Sequence, residues 1–185
     1  MMRMMRRIAI GMSALAACLA AACLSASGPA LADAMQTDGS QCVQKAGGLS
    51  WAENAPERIT AKTPGAVDDA KMALGEQTHL RFHRQTDVTF VTLPGSATET
   101  MDGFAGLAAI DVPEGGSYAV SARGMVWIDL VQQGRLIDST GHERGPACEG
   151  KTVYFPLKEG PAIIQLSGAG EVAVDVLVTR GAPPE

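Results

Sequence analysis

Short apolar and β-branched runs, separated by glycine and proline, make up most of the chain after Gly75. Apolar and polar residues alternate in several of these runs, for example around Leu80 and Phe82 and around Tyr118 and Val120. Alternation with a period of two is typical of strands with one buried face and one exposed face. The pattern predicts nine strands, at residues 78–83, 87–93, 105–112, 117–123, 125–132, 135–138, 152–157, 162–167 and 171–179.

Turn residues separate these runs, as at Pro94-Gly95, Gln133-Gly134 and Glu159-Gly160-Pro161. Many short strands with frequent turns are typical of a sandwich or barrel, and no long helical span suggests a parallel βαβ fold. We therefore predict an all-β fold, an antiparallel, jelly-roll-like β-sandwich over residues 78–180, with 181–185 as a disordered tail.

The segment 33–77 before the strands has no sustained period, and we predict that it is irregular with a short helical part. Val67, Ala70 and Leu74 would share one side of one or two helical turns, which Gly75 would end.

Residues 1–32 have the pattern of an export signal. Three arginines within the first seven residues precede the uncharged apolar run 8–24, and Gly28-Pro29 follows it. Ala30-Leu31-Ala32 is a small-x-small cleavage site, so we predict cleavage between Ala32 and Asp33 and a periplasmic or secreted protein.

Two alternatives for this segment stay open. The apolar run approaches the roughly 20 residues of a membrane-spanning helix. Leu15-Ala16-Ala17-Cys18 resembles the bacterial lipobox, in which the cysteine is acylated. The protein would then be a lipoprotein anchored through Cys18.

Removal of residues 1–32 makes the chain more acidic. The whole chain has 15 basic and 20 acidic residues. The removed part contains three arginines and no acids, which leaves 15 − 3 = 12 basic residues and a net charge of 12 − 20 = −8. An acidic surface repels phosphate backbones and anionic lipid headgroups, so we expect no nucleic acid as a partner, and membrane contact only if Cys18 is lipidated. We also expect no nucleotide as a partner, because the compartment of an exported protein lacks a nucleotide pool.

Cysteine usage fits export. Cys18 and Cys23 lie in the signal, which leaves Cys42 and Cys148 as the two thiols of the mature chain. Two cysteines in an oxidising compartment predict one disulfide, Cys42–Cys148.

Residues 113–122, Pro-Glu-Gly-Gly-Ser-Tyr-Ala-Val-Ser-Ala, are followed by the apolar run 126–131. This stretch resembles the "proline, acidic, glycine, x, tyrosine" strand of bacterial pre-peptidase C-terminal domains and similar jelly-roll modules, and residues 155–167 look like their last hairpin. The resemblance implies an accessory β-sandwich of a secreted protein, used for binding or secretion rather than chemistry.

The patterns at 127–129, Trp-Ile-Asp, and at 160–167, Gly-Pro-Ala-x-x-Gln-Leu-Ser, are similar to those of small exported chains labelled homogentisate 1,2-dioxygenase. Enzymes of that family are much longer cupins that hold iron with two His and a Glu. This chain has only His79, His83 and His142. On one strand His79 and His83 would stand about 13 Å apart, too far to bind one ion. We interpret the label as an inherited name, and expect no metal, no cofactor and two solvent-facing histidines.

Residues 145–152 match the phosphate-loop pattern through Gly145, Gly150, Lys151 and Thr152. That loop needs a helix N-terminus after the motif, whereas residues 152–156 have the pattern of a strand. We therefore interpret the match as false.

The polar stretch 138–145 contains three candidate catalytic residues. His142 could act as a base for Ser139 as nucleophile, and His142 with Glu143 could form part of a metal site. The alternative, which we favour, is a solvated turn anchored by Cys148.

Two residues of the run 125–132 could lie either in the core or at the surface. Asp129 could be buried and paired or could point to the wet face, and we expect Trp127 to lie in the core.

The sequence as a whole predicts an exported, non-enzymatic binding or envelope accessory module for an unknown envelope protein, glycan or small ligand. The alternative is an enzyme, either a hydrolase centred on His142 or a homogentisate 1,2-dioxygenase-like iron enzyme.

Overall fold

The computed structural model describes residues 51–95, 102–144 and 150–184. Eleven strands lie in these ranges, and they confirm the all-β prediction. The strands are β1 Glu57–Ile59, β2 Thr78–Arg81, β3 His83–Arg84, β4 Phe104–Val112, β5 Gly116–Arg123, β6 Trp127–Gln132, β7 Arg135–Leu136, β8 Gly141–Arg144, β9 Gly150–Leu157, β10 Gly160–Ala169 and β11 Ala173–Arg180. Two 3₁₀ helices accompany them, at Pro64–Ala70 and Gln85–Asp87.

The strands form two sheets. One has six strands in the order β1-β2-β11-β5-β9-β8, and the other has five in the order β3-β4-β10-β6-β7. All pairings are antiparallel except β1 with β2. Strand β2 lies beside β11 in the six-stranded sheet, and β4 lies beside β10 in the five-stranded sheet. This is the strand order of a jelly roll, with β1, β3 and β8 as additions at the edges.

The main core lies between the two sheets. It takes alternate residues from each long strand, such as Leu80 of β2, Val120 of β5 and Ile164 of β10, which are fully buried. Tyr118 also points inwards, and its hydroxyl donates to the carbonyl of Glu114 over 2.8 Å, so its polar end is satisfied. The alternation seen in the sequence therefore corresponds to the inner and outer faces of a sandwich.

A second, smaller core covers the outer face of the five-stranded sheet. Ala61, Ala70 and Leu107 are buried there, with Val88 and Phe90 packed against them. Backbone hydrogen bonds hold this cover in place, from Ala61 to Leu107 and from Met72 to Ala109. Strand β4 is consequently buried on both faces along most of its length.

The predicted strand at 87–93 is wrong. Its alternating residues are part of the cover, and the backbone N–H groups of Val91 and Thr92 donate to the side chain of Gln165, at 2.7 and 3.2 Å, instead of to a neighbouring strand. Period-two burial does not require a strand when a loop lies flat on a sheet.

The predicted strand at 78–83 is divided between the two sheets. Residues 78–81 pair with β11, and His83 pairs with Ala105 of the other sheet. Phe82 is buried at the crossing point. His79 and His83 therefore lie on different strands and do not share one strand face, contrary to the prediction from the sequence.

The N-terminal part of the described chain also differs in detail from the expected helical turns. The 3₁₀ helix begins at Pro64 and ends at Ala70, because Lys71 forms an isolated bridge with Ala109 rather than continuing the helix. Strand β8 lies within the stretch 138–145, for which the sequence favoured a solvated turn.

Several sequence predictions lie outside the described residues: the signal at 1–32, its cleavage between Ala32 and Asp33, lipidation at Cys18 and the disulfide Cys42–Cys148. Within the three described ranges, no helix is both long and apolar enough to span a membrane.

Candidate functional site

A cavity of about 380 Å³ opens at one side of the sandwich, where the β6–β7 edge of one sheet meets the β8–β9 edge of the other. Its lining comes from both sheets and from the connection between them. The lining residues are Gly95, Trp127, Ile128, Asp129, Leu136, Ile137, Asp138, Ser139, His142, Arg144, Lys151, Val153 and Phe155.

Strand lengths leave this side open. Strand β7 has two residues and pairs only with Val131 and Gln132, so the first part of β6 pairs with β10 on one side and has no strand on the other side. The chain after β7 runs from one sheet to the other: the N–H of Ile137 donates to Leu130 of β6, and the N–H of Thr140 donates to Tyr154 of β9, each over 2.8 Å. The connection between these two anchors forms one wall of the cavity.

Asp129 organises the β6 wall. It lies on the same strand face as Trp127, and its Oδ1 accepts a hydrogen bond from Trp127 Nε1 over 2.9 Å. Its Oδ2 accepts one from the N–H of Gly95, also over 2.9 Å. The sequence left the position of Asp129 open, and the structure shows a partly buried, doubly bonded carboxylate. The expected core position of Trp127 is wrong, because 42% of its surface is exposed.

Two cations face each other on the opposite wall. Arg144 of β8 and Lys151 of β9 are direct partners in the strand register, so their side chains lie on the same face. Both line the cavity. Among the described residues, no carboxylate forms an ion pair with either of them.

Lys151 connects the two walls. Its Nζ lies 4.9 Å from the centroid of the Trp127 ring, a distance at which the ring attracts a cation. Burial lowers the pKa of Lys151 and Arg144 adds to that effect, while the carboxylate of Asp129 opposes it. The ammonium group is thus partly removed from water and partly compensated by the two β6 residues.

The predicted catalytic residues are distributed over two faces. Ser139 and His142 both line the cavity, His142 from the same side of β8 as Arg144. Glu143 lies between these two on the strand and points to the outer face, where its Oε2 accepts a hydrogen bond from the hydroxyl of Tyr154 over 2.8 Å. The His142–Glu143 pair suggested by the sequence is therefore separated by the alternation of the strand.

The residues of the phosphate-loop match lie mostly in β9. Gly150, Lys151 and Thr152 are its first three residues, and Gly145 lies outside the described ranges. Lys151 faces the cavity, whereas the hydroxyl of Thr152 lies 2.7 Å from that of Ser121 on the outer face. This arrangement differs from the strand-to-helix turn that surrounds a bound phosphate.

The three histidines lie in three different places. His79 Nδ1 is 2.8 Å from Asp175 Oδ1 on the six-stranded sheet, and His83 Nε2 is 2.6 Å from the carbonyl oxygen of Thr60. Both are partly exposed, whereas the sequence predicted two solvent-facing histidines. The ligand set of two His and one Glu implied by the dioxygenase resemblance is not assembled within the described residues, and no cluster of three or more His, Cys, Asp or Glu side chains there is placed to hold a metal ion.

The sequence did not single out Arg144, and it assigned Lys151 only to a false motif. The available signal was the alternation of residues 142, 144, 151 and 153 in two runs that could pair as a hairpin. This alternation is hard to recognise because a strand at the edge of a sheet is polar on both faces, so its sequence resembles that of a turn.

Comparisons with protein families and with curated proteins found no match for this chain.

Proposed function

We propose that this protein is an exported, non-enzymatic jelly-roll module that binds a small molecule in the cavity between the β6–β7 and β8–β9 edges. One observation carries the proposal: a cavity of about 380 Å³ in which aromatic, aliphatic and a few polar groups converge from both sheets. Ligand sites in proteins typically have this composition and volumes of roughly 300–1,000 Å³. The export part of the proposal rests on the signal pattern of residues 1–32.

The polar groups of the cavity support binding more than catalysis. Both oxygens of Asp129 are already engaged, by Trp127 and by Gly95, so this carboxylate positions the wall. Glu143, which could have oriented His142, is directed towards Tyr154 on the other face. The cavity thus offers a shaped surface with side chains that can orient a ligand.

A cavity-filling variant tests the proposal. Ser139 is exposed on the connection that forms one wall, and Ser139→Trp would occupy the cavity. Thr86→Trp, on the exposed second 3₁₀ helix, adds the same bulk outside the lining and is the matched control. We expect fragments found by saturation-transfer NMR with the mature protein to bind the parent and Thr86→Trp but not Ser139→Trp. Equal binding to Ser139→Trp would place the site elsewhere.

A second function is favoured by one specific observation, that Ser139 and His142 line the same cavity. In a hydrolase, His142 would accept the proton of the Ser139 hydroxyl as that oxygen attacks an ester carbonyl, and would return the proton to the alcohol that leaves as the ester bond breaks. Water, deprotonated by His142 in the same way, would then release the acid and restore the Ser139 hydroxyl. Ester hydrolysis that is lost in both Ser139→Ala and His142→Ala would establish this role. Unchanged fragment binding together with no hydrolysis by the parent would leave the binding function alone.

A further inference from the structure

We propose that the ligand is an organic anion, whose single acidic group lies between Arg144 and Lys151 while its apolar body lies against Trp127 and Leu136. This inference rests on the proposed function, because it uses the same cavity. It adds the chemical class of the ligand, which the cavity alone does not define.

The cross-strand position of the two cations is the main argument. Like charges placed directly opposite each other on neighbouring strands destabilise the sheet. In the register of β8 and β9, Arg144 stands opposite Lys151, and no described carboxylate forms an ion pair with either. An oxyanion between the two side chains would remove this repulsion and accept hydrogen bonds from both.

The acidic residues of the lining do not fill this role. The carboxylate of Asp129 is close enough to raise the pKa of Lys151, but its two oxygens accept hydrogen bonds from Trp127 and Gly95 and, among the described residues, it forms no ion pair with Lys151. Asp138 lies on the exposed connection between β7 and β8, beyond the short β7 edge. The cationic pair is thus left as the strongest recognition element in the cavity.

The apolar body is inferred from the opposite wall. Trp127 and Leu136 are among the few large apolar side chains that the fold leaves exposed, at 42% and 39%, and both belong to the lining. The cation of Lys151 lies over the Trp127 ring, which places the acidic group of a ligand close to an aromatic surface. A flat apolar molecule with one acidic group matches both walls.

Two fluorescent probes with related skeletons test the inference without knowledge of the natural ligand. The probe 8-anilinonaphthalene-1-sulfonate has one sulfonate, and N-phenyl-1-naphthylamine is the neutral analogue without it. We expect the purified mature protein to bind the sulfonate at least about tenfold more tightly, the effect of one charge-assisted contact. Competition by phenylacetate and by phenyl phosphate then shows whether a carboxylate or a phosphate is preferred.

Charge-removing variants locate the acidic group. Arg144→Gln and Lys151→Met should each weaken sulfonate binding about tenfold and leave binding of the neutral probe unchanged. Arg58→Gln, on β1 at the far edge of the six-stranded sheet, and Lys158→Met, exposed after β9, are the matched controls. Arg144 is exposed on an edge strand, so Arg144→Gln remains informative even if Lys151→Met fails to fold.

The outcomes separate the two proposals. If both probes bind equally well and Arg144→Gln behaves like Arg58→Gln, while Ser139→Trp abolishes binding of both, the cavity is a ligand site and the anion inference is wrong. If neither probe binds the parent, the anion inference is wrong. If the probes and the NMR fragments bind Ser139→Trp as they bind the parent, the proposed function fails as well.

Discussion

Trp127 Nε1 donates a hydrogen bond over 2.9 Å to Oδ1 of Asp129, two residues further along the same strand. Residues two apart share one face of a strand, so this bond is local and holds the indole beside the backbone of β6. The other oxygen of the carboxylate accepts the N–H of Gly95. One side chain therefore connects a strand, an aromatic ring and the segment that covers the five-stranded sheet.

Asp129→Ala should loosen this wall. The variant leaves the N–H groups of Trp127 and Gly95 without their protein acceptor, and because both sites are partly open to water we expect a loss of about 1 kcal/mol in the free energy of unfolding by urea. In a Trp51→Phe background the emission anisotropy of Trp127 should fall. Asp129→Asn keeps one carbonyl acceptor, so its free energy of unfolding and its Trp127 anisotropy should lie between those of Asp129→Ala and the parent. A stable Asp129→Ala variant with unchanged anisotropy would contradict this role.

The pKa of Lys151 should respond to its two charged neighbours in opposite directions. Burial has the largest effect and lowers the pKa. The negative charge of Asp129 raises it, and the positive charge of Arg144 lowers it. We expect Arg144→Gln to move the pKa up and Asp129→Asn to move it down. Reductive ¹³C-methylation of the lysines followed by an NMR pH titration measures this directly. A Lys151 resonance that titrates identically in all three proteins would refute the coupling.

Tyr154 should make stability depend on pH in the alkaline range. Burial, followed by the hydrogen bond to Glu143 and the charge of that carboxylate, raises the pKa of Tyr154 to about 12. A tyrosine in an unfolded chain ionises near pH 10. The folded state thus holds a proton that the unfolded state has lost, so this contribution is complete below about pH 10 and disappears as the pH rises through about 12.

Absorbance at 295 nm and urea unfolding at several pH values between 9 and 12 check this prediction. Tyr154→Phe should remove the high-pH absorbance transition and flatten the alkaline part of the stability profile. The control is Tyr118→Phe, which removes the chain's other tyrosine. In Tyr118→Phe the absorbance reports Tyr154 alone, and a transition near pH 10 instead of about 12 in that variant would show that the assignment is wrong.

Gly106 should tolerate no side chain. A Cβ at this position would overlap the side chain of Thr60, whose hydroxyl donates to the carbonyl oxygen of Arg81 over 2.9 Å. Gly106→Ala should therefore cost about 1–3 kcal/mol of unfolding free energy. Thr60→Gly in the same chain should recover part of the loss. Gly65→Ala, where nothing lies within 4 Å of the added carbon, is the control, and an equal effect of both alanines would refute the steric explanation.

The predictions on export and disulfide formation are tested by mass. Mature protein isolated from the periplasm should begin at Asp33 and weigh two hydrogens less than the fully reduced form, since Cys42 and Cys148 are expected to be bonded. Two free thiols under denaturing conditions would disprove the disulfide. A lipid-modified N-terminus at Cys18, with globomycin-sensitive processing, would establish the lipoprotein alternative.

Local patterns predicted the long strands well. Strands β4, β5, β9, β10 and β11 lie within a few residues of their predicted ranges, because each is a run of at least eight residues that is rich in apolar side chains and bounded by turn residues. Residues 87–93 have the same pattern and form no strand, because they pack on the outer face of a sheet that is already complete. Alternation reports burial on one side of an extended chain, and it does not report hydrogen-bonding partners.

The sequence by itself determined the fold class and the strand-rich body, since both depend on periodicity, turn residues and the absence of long helical runs. It also determined which positions are apolar. Only the tertiary structure decided which edges lie side by side, and with them the cavity, the exposed Trp127, the two faces of β8 and the opposition of Arg144 and Lys151. The physical reason is that the faces of a strand follow from neighbours along the chain, whereas a site between two sheet edges depends on strand order and on residues far apart in sequence.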